Sequence, residues 1–242
     1  MELIEQPWEK RNLGVNSAEF RFDGKENLNE ITDDILSNSK YDYQICRVPV
    51  GRMDIMYLLQ ANGFSFAETS IELSADLKKL ELPSVYARYI EAMDYHPASE
   101  TELQLIQDSI LSGVFDTDKI SLDPYFGKKQ AGIRFANWNM QEVEAGRASA
   151  YVVTMHDEPI GFFVDKTVSD KVDYSLLAAL YDKEKNSGVG FSVLYFPMLQ
   201  SKLDGKRRIT TGVSSNNPDS VRMHLELGYK IKEMNYVLIK HI

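Results

Sequence analysis

The feature that most narrows what this chain folds into is a change of period at Ala148. From Ala148 to Met155 and from Ile160 to Val168 the sequence is strand-like, and the two runs meet at His156-Asp157-Glu158-Pro159. Turn formers between two such runs predict an antiparallel hairpin. Further strands are predicted from Val172 to Leu180, from Arg208 to Ser214 and from Lys230 to Lys240. A glycine-containing turn and an apolar helical segment separate the first two of these, and a short helix separates the last two. Hairpin, strand, glycine loop, helix, strand, helix, strand specify an α+β sheet domain.

Upstream, residues 1–80 mix strand-like runs (Tyr43 to Val50, Glu68 to Leu73) with helical ones. Leu28, Ile31 and Ile35 recur at helical spacing, and a helix from Met53 is expected to end at Gly63. Residues 84–146 read as helical. Ser99 and Glu102 form a capping-box pattern ahead of Leu103, Ile106 and Ile110, with Gly113 as terminator. A later helix places Ala131, Phe135 and Trp138 on one stripe, which reads as core. The expected organisation is a smaller N-terminal α/β region over 1–80 and a main domain over 81–242. Gly63-Phe64-Ser65-Phe66-Ala67-Glu68 and Gly228-Tyr229-Lys230-Ile231-Lys232-Glu233 share a Gly-aromatic-x-apolar-x-Glu pattern. The first region is either a degenerate copy of the C-terminal half or alike by chance.

Composition excludes several function classes. With 43% hydrophobic residues in 242, the chain has material for a sizeable core without staples. Cys46 is its single cysteine, and no Cys/His pair has zinc-ligand spacing, so neither a disulfide nor a metal is expected. The opening MELIEQPWEK carries early acids and no apolar run, and no stretch approaches the ~20 apolar residues of a membrane span. The expectation is a soluble, cytoplasmic protein without a membrane partner. A net charge of −9 repels nucleic acid. Against that sign, Lys183, Lys185, Lys202, Lys206, Arg207 and Arg208 cluster in one short segment.

Two motifs carry chemistry. Lys185-Asn186-Ser187-Gly188-Val189-Gly190 follows a strand and opens a helix-like run. Free backbone N–H groups and the positive end of a helix dipole there suit a pyrophosphate, and glycine lets phosphate approach the backbone. An ordinary strand-to-helix turn is the plainer alternative. Asn217-Pro218-Asp219-Ser220 then predicts a helix start, with Gly228 as its end. Val221, His224 and Leu225 fall at i, i+3 and i+4, so His224 shares the apolar side.

In order and separation these motifs resemble the GNAT superfamily of N-acetyltransferases. Leu180 to Gly190 is similar to its Arg/Gln-x-x-Gly-x-Gly/Ala acetyl-CoA loop, with Lys185 in place of Arg or Gln and Asn186 in place of a common glycine. Asn217 to Tyr229 is similar to its Asn-x-x-Ala-x-x-x-Tyr-x-x-x-Gly-Phe pattern, with His224 where the family usually has a general-acid tyrosine. The resemblance covers residues 148–242. It implies a mixed, mostly antiparallel sheet flanked by helices, and acetyl-CoA as acyl donor. A narrower resemblance, to dTDP-amino-sugar N-acetyltransferases, lies in Trp8-Glu9-Lys10-Arg11-Asn12-Leu13-Gly14 and in Asp123-Pro124 followed by a helix carrying Trp138. It implies a nucleotide-linked amino sugar as the amine acceptor. Asn12 and Leu13 depart from that group's aromatic pair.

The resemblance further implies direct attack of a small-molecule amine on the thioester. Backbone N–H groups of Ala178 and Leu180 would hold the donor arm, with Lys185, Asn186, Ser187, Gly188, Val189 and Gly190 at the pyrophosphate and Asn217 as a loop anchor. His224 stands as general acid or as a passive lining residue, and Asp173 as the candidate base or a solvated strand-end carboxylate. Lys206, Arg207 or Arg208 would meet the 3′-phosphate of the donor. Pro197 should kink or shorten the helix after the loop. A non-catalytic acyl-CoA sensor, or an enzyme acting on a polyamine, peptide or antibiotic, stays open, as does a monomer or homodimer.

Overall fold

The computed structural model describes residues 1–31 and 40–242. Ile35, and with it part of the first helical pattern, lies outside the described residues; Leu28–Glu30 forms a single 3-10 turn. The described chain carries ten strands: β1 (Glu2–Glu5), β2 (Ser17–Arg21), β3 (Tyr43–Pro49), β4 (Ser65–Asp76), β5 (Met93–Pro97), β6 (Ala148–Met155), β7 (Glu158–Ser169), β8 (Val172–Leu180), β9 (Arg208–Ser214) and β10 (Lys230–His241). Its α-helices are α1 (Trp8–Leu13), α2 (Met53–Ala61), the one-turn α3 (Ala87–Ile90), α4 (Glu100–Leu111), α5 (Gly127–Glu144), α6 (Ser192–Leu203) and α7 (Pro218–Glu226).

The strands form one sheet in the order β1-β2-β3-β10-β4-β9-β8-β7-β6-β5. Only β2–β3 and β8–β9 pair in parallel, so the sheet is mixed and mostly antiparallel, as expected for an α+β chain. Two β–α–β units, β3-α2-β4 and β9-α7-β10, interlock. β10 lies between β3 and β4, and β4 lies between β10 and β9. The Gly63 and Gly228 patterns occupy matching places in these units. Both glycines have positive φ (86° and 93°), and each precedes one of the central strands β4 and β10.

Local signals explain the elements. The β6–β7 hairpin turns at His156 and Asp157, both with positive φ, the two-residue geometry whose twist suits a hairpin. The Ser99 hydroxyl accepts from the Glu102 N–H, and the Glu102 carboxylate accepts from the Ser99 N–H, closing the capping box of α4. α6 is not shortened at Pro197 but runs on to Leu203, because Phe196, Pro197 and Met198 are buried against the sheet. Alternation then divides the core. Val153 and Phe163 pack with α6, while Val152 and Phe162 pack with α4 and α5 on the other face. A third cluster joins α1, α5 and the central strands through Leu13, Ala131, Tyr43 and Val237.

One close approach fixes the strand that matters most for the site. A Cβ on Gly161 of β7 would stand 2.6 Å from the Ala179 carbonyl oxygen and 2.8 Å from Val193 Cγ1. Neither neighbour moves cheaply, since one is sheet backbone and the other a buried β-branched side chain. Gly161→Ala is expected to cost about 1–3 kcal/mol by overpacking. At roughly 2–4 °C per kcal/mol for a chain of this size, thermal denaturation would register it. An unchanged melting temperature would show that β8 has room to shift.

Candidate functional site

β8 and β9 pair over only three residues, Val172 with Arg208, Asp173 with Ile209 and Tyr174 with Thr210. Beyond that point they splay apart. A cleft of about 440 Å³ opens between Ser175–Leu180 on one side and Thr211–Ser214 on the other. Asn217, Ser220, Met223 and His224 of α7 and its cap line the cleft, together with Gly190 and Val193 at the start of α6.

The splay leaves part of β8 without backbone partners. Tyr181 donates its N–H to the Ile160 carbonyl at 3.0 Å, so that residue faces β7. Alternation in an antiparallel ladder puts Ala179 on the same side. The N–H groups of Ala178 and Leu180 therefore face away from β7, toward the gap left by β9. The start of α6 adds further donors. The N–H groups of Gly188, Gly190, Phe191 and Val193 make no hydrogen bond among the described residues. Orphan N–H groups at the positive end of a helix dipole suit an anion.

The rest of the loop is built to hold itself. The Asp182 carboxylate accepts from the N–H groups of Glu184 and Lys185, and the Asp182 carbonyl accepts from the N–H and Nδ2 of Asn186. Ser187 donates its N–H to Glu184, and Val189 is buried in the core. Gly188, at φ 89°, makes the turn that a Cβ would strain. Of the six loop positions singled out from sequence, only Gly190 lines the cleft. Lys185 is exposed and does not line it.

His224 is 4% exposed and sets its ring edge-on to Tyr229 at 4.9 Å. Its Nδ1 lies 2.7 Å from the Ser220 carbonyl oxygen, which only accepts, so Nδ1 carries the proton and Nε2 is the bare nitrogen. Burial lowers the pKa of this imidazole, with the Ser220 contact opposing. His224 is therefore neutral at pH 7 with a lone pair on Nε2. Asn217 caps α7 by accepting the Ser220 N–H at 3.1 Å.

Asp173 stands elsewhere. It sits where β8 and β9 are still paired and does not line the cleft. Its carboxylate accepts from Thr167 Oγ1 at 3.0 Å and pairs with Lys206 at 3.3 Å. Lys206, Arg207 and Arg208 all lie toward this closed end, which separates them from the cleft mouth. Lys183 of the same basic run does line the cleft.

Residues not assigned to the site from sequence form its other wall. Phe115, Phe135 and Trp138 line the cleft with Thr117, Asp118 and Tyr174. Phe115 and Phe135 ring centroids are 5.3 Å apart, and Phe135 and Trp138 6.5 Å. The α5 stripe read as core thus divides. Ala131 is fully buried, while Phe135 and Trp138 each keep a face toward the cavity. The signal was present in their helical spacing, but spacing does not say what covers a stripe.

The sequence matches no protein-family model and no curated protein. The fold does match solved structures. One is a functionally unknown conserved protein from Staphylococcus epidermidis, with TM-score 0.61 and 13% identity over 93% of this chain and 84% of that one. Another is a GCN5-related N-acetyltransferase from Sphaerobacter thermophilus, with TM-score 0.55 and 10% identity over 82% of this chain and 59% of that one. A third is the GCN5-related glucosamine N-acetyltransferase region of a fungal multi-domain GH3 β-N-acetylglucosaminidase, with TM-score 0.61 and 11% identity. That match covers 82% of this chain and 25% of the fungal one. The chain thus spans less than two thirds of the length of the two acetyltransferase chains. At such identities the likeness is one of fold, and the fold is that of the GNAT acetyltransferases.

Proposed function

We propose that this chain is an N-acyltransferase that moves an acetyl group from acetyl-CoA to a small-molecule amine held in the β8–β9 cleft. The observation that carries the reading is the splay itself, with unpaired N–H groups on β8 beside unpaired N–H groups at the start of α6. These fit the two ends of an acyl-CoA arm: amide and thioester oxygens along Ala178 and Leu180, and the pyrophosphate at Gly188, Gly190 and Phe191. Bound acetyl-CoA supplies an acetyl group activated as a thioester. Preorganised donors to a developing oxyanion are worth roughly 3–4 kcal/mol each.

His224 supplies the proton chemistry. As a neutral imidazole with a bare Nε2, it accepts the proton that the attacking amine must lose and returns it to the departing sulfur. This makes His224 a shuttle that starts as a base, whereas a tyrosine at this position would start as an acid. Asn217 holds the turn that presents α7. Asp173 has its carboxylate occupied by Lys206 and Thr167, and the reaction asks nothing of it.

For the acceptor, the aromatic wall of Phe115, Phe135 and Trp138 favours a ring over a flexible polyamine, because a ring face packs on these side chains. An amino sugar, free or nucleotide-linked, fits that wall. The glucosamine acetyltransferase region of the fungal protein and the Trp8 to Gly14 resemblance point the same way. The test is thiol release from acetyl-CoA across free and nucleotide-linked amino sugars, polyamines and peptides. Release with amino sugars and none with polyamines is expected. If acetyl-CoA binds yet no amine releases thiol, the fold serves as an acyl-CoA sensor instead.

A further inference from the structure

The reading of the cleft as an acyl-CoA site fixes which way the acyl group points. With the pyrophosphate at the start of α6 and the arm along Leu180 and then Ala178, the acyl end points back along β8. It points toward the place where β8 and β9 close on each other, at Tyr174 and Thr210. What stands there decides how long an acyl group the cleft holds.

An acyl chain could continue from there in three directions, and each is closed. In the plane of the sheet, Thr210 Oγ1 donates to the Asp173 carbonyl at 3.3 Å and Thr211 Oγ1 to the Ser175 carbonyl at 3.0 Å. These bonds hold the vertex shut. Toward α6, Ser175 and Thr211 are buried. Toward α5, the Tyr174 side chain crosses the gap, since a Cβ on Gly212 of β9 would stand 3.1 Å from the Tyr174 hydroxyl oxygen. Tyr174 and Gly212 both line the cleft. Tyr174 packs in the same apolar cluster as Phe115, Phe135 and Trp138, so its ring lies on the face that carries the aromatic wall.

Spacing along the strand sets the length that remains. β7 pairs Val164 with Leu177 and Asp165 with Ser175, so Leu176 is a bulge residue. Tyr174 and Ala178 are then about three strand rises apart, roughly 10 Å. The Tyr174 side chain spans two of those rises, because Gly212 lies two residues beyond Thr210, the partner of Tyr174. About one rise, ~3 Å, is left between the hydroxyl and the level of the Ala178 N–H. That is about the length of two carbon–carbon bonds. Burial raises the pKa of the Tyr174 hydroxyl, with Glu72 acting the same way and the Gly212 backbone opposing, so a neutral phenol faces the acyl end.

We infer that Tyr174, laid across the gap onto Gly212, is the stop that limits the transferred acyl group to about two or three carbons. The inference rests on the acyl-transfer reading and deepens it. The donor class is acetyl- or propionyl-CoA, and medium- and long-chain acyl-CoA are excluded. Gly212 is the other half of the device, since a side chain there would meet the Tyr174 hydroxyl.

Binding without an amine, and so without turnover, tests this. CoA, acetyl-CoA, butyryl-CoA and hexanoyl-CoA are titrated calorimetrically into the wild type and into Tyr174→Phe, Tyr174→Val and Tyr174→Ala. In the wild type hexanoyl-CoA is expected to bind about 5- to 100-fold more weakly than acetyl-CoA, the range of overpacking. Tyr174→Ala and Tyr174→Val should reverse that order, each added methylene then improving affinity by up to about fourfold. Tyr174→Phe loses only the hydroxyl, so it should admit butyryl-CoA and still resist hexanoyl-CoA. CoA itself carries no acyl group and reports in each variant that the cleft is intact. Where Tyr174→Ala fails to fold, Tyr174→Phe and Tyr174→Val decide. Hexanoyl-CoA binding as tightly as acetyl-CoA in the wild type, or the same chain-length order in every folded variant, overturns the stop. Failure of the wild type to bind CoA at all overturns the donor site and the stop with it. Absence of thiol release with every amine, alongside chain-length-dependent binding, would overturn the catalytic reading and leave the stop standing.

Discussion

His224→Ala is expected to lower turnover on the best acceptor about 100- to 10,000-fold, the range of a general acid–base group, with little change in acetyl-CoA affinity. The argument starts from one hydrogen bond. The Ser220 carbonyl at 2.7 Å fixes the proton on Nδ1, so the nitrogen available for chemistry is Nε2, and it is bare. Burial holds the imidazole pKa below its ordinary ~6.5, so the neutral form dominates at pH 7. The rate should therefore rise with pH through an ionisation below ~6.5 and then level off, until the acceptor's own ionisation intervenes. His224→Ala should lose that acidic limb along with the rate. Stability runs in the same direction. Below ~6.5 the unfolded chain takes up a proton at this imidazole that the folded chain resists, so stability falls as the pH falls. The limb must accordingly be measured where the protein remains folded. Unchanged turnover in His224→Ala, or an acidic limb that survives it, would remove His224 from proton transfer and leave it a lining residue.

How far the sequence discloses this site depends on how local each determinant is. The His156-Asp157 turn, the Ser99–Glu102 box and the glycine stops at Gly63, Gly113 and Gly228 are legible because each is settled within a few residues. The α7 cap is legible for the same reason, since Asn217 and Ser220 are three positions apart. The α+β sheet domain follows from the order of its elements, and its mixed, mostly antiparallel pairing is what the GNAT resemblance implied. The insertion of β10 between β3 and β4 does not follow, because nothing local says which edge a C-terminal strand will find. The same limit hides Phe115, Phe135 and Trp138. Their places depend on where the chain before α5 lies against the sheet, not on their own spacing. The phosphate-loop pattern is informative about its helix start and misleading about its members. Asn186 occupies a motif position, yet its polar atoms are tied to Asp182. Asp173 shows the same limit: strand position suggested a base, and its contacts with the distant Lys206 and Thr167 were not legible.

That distinction yields the second large effect. Asp173→Asn is expected to destabilise the fold by about 3–5 kcal/mol while leaving the turnover of the folded fraction intact. The carboxylate is 4% exposed and the Lys206 side chain 11%, so the pair is nearly removed from water. Deleting one charge of a buried pair strands the other, which costs far more than the pair contributes. Lys206 would keep only the Ser169 carbonyl at 3.1 Å and the Thr167 hydroxyl at 3.4 Å. Asp165 is a poor replacement partner. Burial, with Asp173 adding to it, raises its pKa well above the ordinary carboxylate value, which disfavours the charged form. At roughly 2–4 °C per kcal/mol, the melting temperature should fall by about 6–20 °C. The double variant Asp173→Asn with Lys206→Met removes both charges together and should recover much of that loss, because a buried pair replaced by neutral side chains is often tolerated. A carboxylate that acted as the reaction's base would give the opposite pattern. Turnover would fall about 100-fold or more, the melting temperature would hold, and Lys206→Met would rescue nothing.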